Sequence, residues 1–422
     1  MQILNNVLIV LRGSVAAQAV SFATLPILAR LYSPAEFGRY QIFLAALIFL
    51  IPIASLRYEL AILNAETDDR AFALGRLCLG LNALVAAVTL ALCAAVHLLW
   101  PSGAAKLGSA LWVLPVALLA GGAFQTFTYL LLRGHAFRVG AIAKGCQAAS
   151  NSVAALALSG LKISGLGLVL GELTGRGIAA LYVVGKMIGQ DTRYRLWRRQ
   201  KYSMRDMLTR YRDYPLISLP GSVLNAVGGT LAPLLIFAAF GASVSGQYGL
   251  VDRCISLPIA VVVQAVSQVY MASFSTAMRD GAADPLDLFR RVVFAHLKLG
   301  IVPIAVLLLF GPQLFTVVFG ARWALAGNFS QIVAPLMLVA FVVNPVDMTL
   351  MLLNRQKMNS LWYLLRLVLT LAAWAAIFAY HFAPLPALEL HVTVSIVAYL
   401  TLLVMSYRIL SRARPTPVSR SG

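Results

Sequence analysis

Along this chain apolar residues neither alternate with polar ones nor form the single stripe of a surface helix. They come in unbroken blocks, such as Leu111 to Leu132 and Ile301 to Phe310. A helix needs roughly 20 consecutive apolar residues to cross the hydrocarbon of a bilayer, whereas a spanning strand would show alternation. The blocks recur at about 7–30, 39–60, 73–99, 111–132, 140–160, 165–188, 214–238, 247–274, 291–311, 329–353, 359–381 and 387–408. The predicted fold class is all-α: a polytopic integral membrane protein of about twelve transmembrane helices, with no room for a sizeable soluble domain. The first block lacks the layout of a cleavable signal and is read as a retained helix.

Composition agrees with the pattern. The chain is 60% hydrophobic and 12% charged, with a mean hydropathy of +0.83. Soluble domains run nearer a quarter charged. The net charge of +19 would suggest nucleic acid in a soluble protein, but its placement argues otherwise. Basic residues crowd into the even-numbered connections, above all Gln190 to Asp213 with Arg193, Arg195, Arg198, Arg199, Lys201, Arg205, Arg210 and Arg212, and into the tail with Arg408, Arg412, Arg414 and Arg420. The odd-numbered connections hold only Arg30, Arg39, Lys106, Lys162 and Arg322. Positive charge stays inside, so both termini are expected in the cytoplasm, with the basic linker and tail against anionic headgroups of membrane lipids. No nucleic-acid partner is needed.

The basic linker divides the chain into an N-terminal six-helix lobe (1–189), the linker (190–213), a C-terminal six-helix lobe (214–408) and a basic tail (409–422). A faint repeat links the halves. Gly13-Ser14-Val15 precedes Phe37-Gly38-Arg39-Tyr40, and Gly221-Ser222-Val223 precedes Ser245-Gly246-Gln247-Tyr248 at the same separation. Pro26 and Pro233 fall at nearly matching depths. Six spans per half leave both halves in one orientation, which is a parallel pseudo-repeat about an axis along the membrane normal.

The chemistry of enzymes is missing from this pattern. There is no Walker-type phosphate loop, no metal-ligand spacing of His, Cys and Asp, and no Ser/His/Asp arrangement, so neither a cofactor nor a metal is expected. Cys78, Cys93, Cys146 and Cys254 lie in apolar blocks as small core hydrophobes. What stands out is charge inside the spans, where each ionised group facing lipid costs at least about 2.5–3.5 kcal/mol. Glu172 and Arg176 are four apart on one helix and are expected to pair. Arg57 and Glu59 are two apart and on a continuous helix would point to different faces. Arg12, Arg57, Lys298 and Arg366 fall in the cytoplasmic half, and Arg253 lies a few turns in from the outside. If they faced one another they would line a cationic chamber suited to an anionic headgroup, with the arginine fork matched to phosphate. Asp347, Glu59 and Asp252 are candidates for a coupling-ion site or for charge pairs. Gly228, Gly229, Thr230 and Pro233 are expected to interrupt span 7, and Pro258 marks span 8.

Leu28-Ala29-Arg30-Leu31-Tyr32-Ser33-Pro34-Ala35-Glu36-Phe37-Gly38-Arg39-Tyr40 resembles the first loop of Wzx-type polysaccharide flippases. Arg57-Tyr58-Glu59-Leu60-Ala61-Ile62, Tyr214-Pro215 to Asn225, Gly246-Gln247-Tyr248 to Arg253 with Pro258, and Arg355-Gln356-Lys357 are similar to the same family. The resemblance implies the multidrug/oligosaccharidyl-lipid/polysaccharide exporter superfamily, a cavity opening alternately to either side, and transport driven by an ion gradient. It implies an undecaprenyl-pyrophosphate-linked oligosaccharide as substrate, in O-antigen or exopolysaccharide assembly at the bacterial inner membrane, beside a polymerase and chain-length machinery. A drug/cation antiporter of the same superfamily is the alternative, although it calls for more buried carboxylates. A membrane-embedded glycosyltransferase or polymerase fits less well, because the outer loops are short.

Overall fold

The computed structural model describes residues 2–134, 136–161, 165–189, 202–280, 284–353 and 355–412, with residues 2–14 described in backbone only. The described residues are helical almost throughout. In chain order the helices are α1 (Gln2–Leu31), α2 (Pro34–Ala54), α3 (Tyr58–Asn64), α4 (Asp68–Leu99), α5 (Pro101–Leu107), α6 (Ala110–Arg133), α7 (Phe137–Leu158) and α8 (Leu166–Ile188). There follow α9 (Met204–Arg210), α10 (Leu219–Asp280), α11 (Pro285–Phe319), α12 (Ala324–Val343), α13 (Thr349–Leu352), α14 (Gln356–Ala379) and α15 (Pro384–Arg412).

Among the described residues nine helices are long and apolar enough to cross a membrane. One of these, Tyr214–Met278, contains a break at Gly241 (φ 80°, ψ −176°) and therefore makes two crossings. With α1 and α7 this accounts for the twelve expected spans. Helix α7 is more polar than the other spans because it carries Arg138, Lys144, Gln147, Asn151 and Ser152. It is nonetheless packed against α1 and α8, where Ser152 bonds Thr24 (3.1 Å) and Asn151 donates to Glu172 (2.8 Å). Asn151 and Ser152 are thereby satisfied by protein, as hydrocarbon demands. Leu84, Leu92, Leu181 and Val317 are exposed, with lipid as their solvent.

The expected interruption of span 7 lies elsewhere. Gly228 to Pro233 stays helical, and Thr230 returns its hydroxyl to the Ala226 carbonyl (2.8 Å). The chain turns at Gly241, which can adopt the left-handed region without a Cβ clash. A second break was not foreseen. Between α2 and α3, Leu56 (φ 48°) and Arg57 (φ 65°) are both left-handed, at about 1–2 kcal/mol each for residues bearing a Cβ.

The chain forms two compact units, Met1–Gly249 and Leu250–Gly422. In the first, α4, α6 and α8 pack around a core that includes Ile62, Leu74, Leu77, Phe127 and Val183. The linker helix α9 belongs to this core: Met207 is buried within it, and Tyr58 donates its hydroxyl to the Leu208 carbonyl (3.0 Å). Arg210 pairs with Glu66, and Arg70 lies over the Tyr202 ring at 5.1 Å. The described part of the linker is thus held by protein as well as charged, while Arg193 to Lys201 and the tail beyond Arg412 lie outside the described residues. In the second unit α11 packs on α12, and α15 on both α12 and α14. Tyr270 and Thr349 share a buried hydrogen bond of 2.8 Å there.

Candidate functional site

Helix α2 starts at Pro34, ahead of the block expected from about 39. Ser33 caps it by accepting from the Glu36 backbone N–H (3.3 Å), while Glu36 accepts from the Ser33 N–H (2.7 Å) and Pro34 fills the first turn. This reciprocal box satisfies two donors that would otherwise be orphaned. Tyr32 anchors the preceding loop by donating to the Ala155 carbonyl (2.6 Å). Burial, with Glu36 nearby, pushes its phenol up to about 12, so it stays a donor.

At the other end of α2 the left-handed turn at Leu56 and Arg57 reorients the chain and creates a polar cluster. Arg57 stands at the position before α3, outside the helix, so the rule that residues two apart face away from each other does not apply. Its Nη1 reaches Glu59 Oε1 at 3.1 Å, and its Nε donates to Ser222 Oγ of α10 at 2.6 Å. Glu59 is fully buried, and Arg57 keeps 23% of its side chain accessible. Gln125 of α6 donates to Glu59 Oε1 at 2.9 Å, and Ser55 donates to Oε2. Ser222 passes its own proton to the Ser218 carbonyl (2.7 Å), so it meets Arg57 with lone pairs alone. The cluster is a guanidinium anchored on one side by a buried carboxylate and partly open on the other. Arginine has five donors; described residues engage two of those on Arg57. The expectation that Arg57 and Glu59 cannot satisfy each other is overturned, because it assumed an unbroken helix.

The pairing of Glu172 with Arg176 is present at 2.7 Å. Glu172 also accepts from Tyr40 (3.1 Å) and Asn151 (2.8 Å), so this carboxylate ties α2, α7 and α8 together. In the second unit Asp252 accepts from Ser256 (2.9 Å), with Arg253 half-buried beside it on α10. Asp347 is half-buried where a short helical turn at Asn344–Val346 separates α12 from α13, and forms no ion pair with any described residue. Arg366 sits between aromatic rings, 5.8 Å from the Trp362 centroid and 4.9 Å from that of Tyr399. That stacking offers the cation a partner other than water. Lys298 is exposed on α11. Arg12 lies in α1, with its side chain outside the described residues.

Two buried histidines escaped the sequence reading as interior groups. His391 accepts from the Trp374 indole (3.3 Å). His296 bonds the Val292 carbonyl through Nδ1 (2.9 Å) and lies 4.9 Å from the Phe341 ring, with no partner at Nε2 among the described residues. Nothing in their local sequence marks them, since both stand in ordinary apolar blocks.

A profile of the family described as "Polysaccharide biosynthesis protein" matches residues 27–327. None of the curated proteins matches the chain. Among solved structures, the lipid II flippase MurJ in an inward closed conformation superposes with a TM-score of 0.70 at 10% identity, covering 95% of this chain and 90% of that one. An inward-facing multidrug resistance MATE family transporter of the MOP superfamily gives 0.60 at 15% identity, covering 96% and 94%. A MOP superfamily transporter from Pyrococcus furiosus, whose binding pocket is described as of reverse polarity, gives 0.57 at 15% identity, covering 97% and 95%. At these identities the likeness establishes the fold alone, one that this chain shares with multi-pass membrane transporters and a flippase.

Proposed function

This chain belongs to the family of polysaccharide biosynthesis proteins, and we propose on that footing that it flips an undecaprenyl-pyrophosphate-linked oligosaccharide from the cytoplasmic to the outer leaflet of a bacterial inner membrane. The repeat unit is destined for O-antigen or exopolysaccharide, and the protein moves it without transforming it. The observation that carries the reading is the family match across most of the chain, in a fold shared with a lipid II flippase.

Arg57 gives the reading its chemistry. A fork of donors held by a buried carboxylate and left partly open suits a pyrophosphate, which accepts charge-assisted hydrogen bonds. Arg12, Arg253, Lys298 and Arg366 are further candidates for headgroup contact, each to be tested singly. The polyprenyl tail stays in lipid while the headgroup crosses. Alternating access runs on an ion gradient, with Asp347 and Asp252 as candidate coupling groups and Glu59 as the charge partner of Arg57. Both termini lie in the cytoplasm, and a polymerase with its chain-length machinery takes up the product. The second reading is a drug/cation antiporter, favoured by the MATE transporters that share the fold.

The test is flipping in proteoliposomes. Lipid-linked oligosaccharide placed in one leaflet is expected to become accessible to an impermeant sugar-modifying enzyme on the other side, at a rate that falls with Arg57→Ala. No flipping by the intact protein, together with export of cationic dyes, supports the antiporter instead.

A further inference from the structure

The cluster around Arg57 holds a feature that headgroup binding alone does not require: one of its partners is a neutral hydroxyl on a different helix. We propose that Arg57 is a substrate-operated latch, in which an arriving pyrophosphate oxygen replaces Ser222 Oγ as the acceptor for the guanidinium and so unfastens the break between α2 and α3 from α10. The proposal rests on the flippase reading and adds to it a residue that the substrate displaces.

The two partners of Arg57 differ in kind. Glu59 is fully buried and is held by Ser55 and Gln125 besides Arg57, so it cannot leave without exposing a carboxylate to the interior. Ser222 is bound to its own helix through the Ser218 carbonyl and gives Arg57 one neutral acceptor. A phosphate oxygen forms a hydrogen bond roughly twice as strong as a neutral acceptor does. Exchange of Ser222 for phosphate is therefore downhill, and exchange of Glu59 is not. Ser55, Glu59 and Gln125 are positioning residues: Ser55 and Gln125 hold the Glu59 carboxylate, and the carboxylate aims the guanidinium.

The backbone on both sides of the contact is of the kind that switches. Leu56 and Arg57 occupy left-handed conformations that residues with a Cβ rarely adopt, and such conformations persist only when their surroundings hold them. Across the contact, Ser222 follows a π-helical turn at Tyr214–Ser218, a helix defect common at functional sites. Asn64 at the end of α3 donates to the Tyr214 hydroxyl (3.0 Å), which links the same two segments a second time. Loss of the Arg57–Ser222 bond loosens two stretches that are already irregular.

The test uses the full chain in lipid nanodiscs, with undecaprenyl pyrophosphate and inorganic pyrophosphate as probes. Removing the competing acceptor with Ser222→Ala is expected to tighten probe binding about 2- to 10-fold, the equivalent of one net hydrogen bond. It is also expected to raise amide exchange around residues 55–60 and 218–222 in the ligand-free protein to the level that ligand induces in the wild type. Ser222→Thr keeps the hydroxyl and is expected to behave as wild type; Ser222→Cys, a poorer acceptor, shifts both readouts part of the way. Gln125→Ala is expected to weaken binding. Arg57→Lys restores some binding without the exchange response, because one ammonium cannot serve Glu59 and phosphate in the same geometry. If the wild type binds the probes while neither Ser222→Ala nor Ser222→Cys changes affinity or exchange, the latch is wrong and the flippase reading stands. If the wild type binds neither probe, both are wrong.

Discussion

Gly38 and Gly246 pack back to back, each against the turn that precedes the other. A Cβ on Gly246 would collide with the Pro34 carbonyl and come within 2.8 Å of the Gly38 nitrogen, and a Cβ on Gly38 would collide with the Ala242 carbonyl. Pro34 lies one turn before Gly38, and Ala242 one turn before Gly246. The contact is reciprocal: each glycine meets the carbonyl one turn before the other. These are the two glycines that the faint sequence repeat aligned.

A side chain at either glycine must push the helices apart. Gly246→Ala is expected to cost about 1–3 kcal/mol by overpacking, read as a lower melting temperature in detergent, and Gly246→Val more. Gly229, with open space around its Cβ position, serves as the control, and Gly229→Ala is expected to leave stability unchanged or slightly raised. Equal effects at the two sites would contradict the close approach.

Glu172 is a structural carboxylate on this account. Glu172→Ala strands the largely enclosed Arg176, which keeps only 14% of its side chain accessible, and is expected to cost about 3–5 kcal/mol. Replacing both, as Glu172→Met with Arg176→Leu, is expected to recover most of that loss. A double variant as unstable as the single one would point to the Tyr40 and Asn151 bonds as the larger contribution.

The flippase reading puts Arg366 on the transport path. Arg366→Ala is expected to abolish flipping with little loss of protein from the membrane, and Arg366→Lys to restore part of it, since an ammonium keeps the charge and the aromatic partners but loses the planar fork. Arg12→Ala and Arg12→Lys are expected to follow the same pattern. Full flipping by the alanine variants removes these residues from the path.

Ion coupling is separable from substrate choice. Collapsing the proton and sodium gradients is expected to slow flipping in sealed vesicles. An unchanged rate contradicts antiport and leaves the flippase assignment intact.

The spans were legible because a helix crossing hydrocarbon must be a long, unbroken apolar block, and even the polar α7 was long enough to be found. The capping box at Ser33 and Glu36 went unread, and the second span was begun at about 39 although α2 starts at Pro34. The pairing of Glu172 with Arg176 followed from helical spacing alone. The Arg57 cluster was not legible in that way. Its geometry depends on two left-handed residues with no glycine to announce them, and on Gln125 and Ser222, both distant in sequence. The break at Gly241 was misplaced because Gly228, Gly229 and Pro233 look more disruptive than one glycine, yet a helix tolerates them in lipid where water cannot compete for its hydrogen bonds. Buried histidines such as His296 give no sequence signal, because burial is a property of packing.

The central claim, that the cargo is a lipid-linked oligosaccharide, is tested most directly in cells with and without this protein, by mass spectrometry of polyprenyl-linked sugars and by their access to a periplasmic ligase. The account predicts that a pyrophosphate-linked repeat unit accumulates on the cytoplasmic side when the protein is missing, and that the unit becomes ligase-accessible when it is restored. An unchanged pool with unchanged sidedness would contradict it.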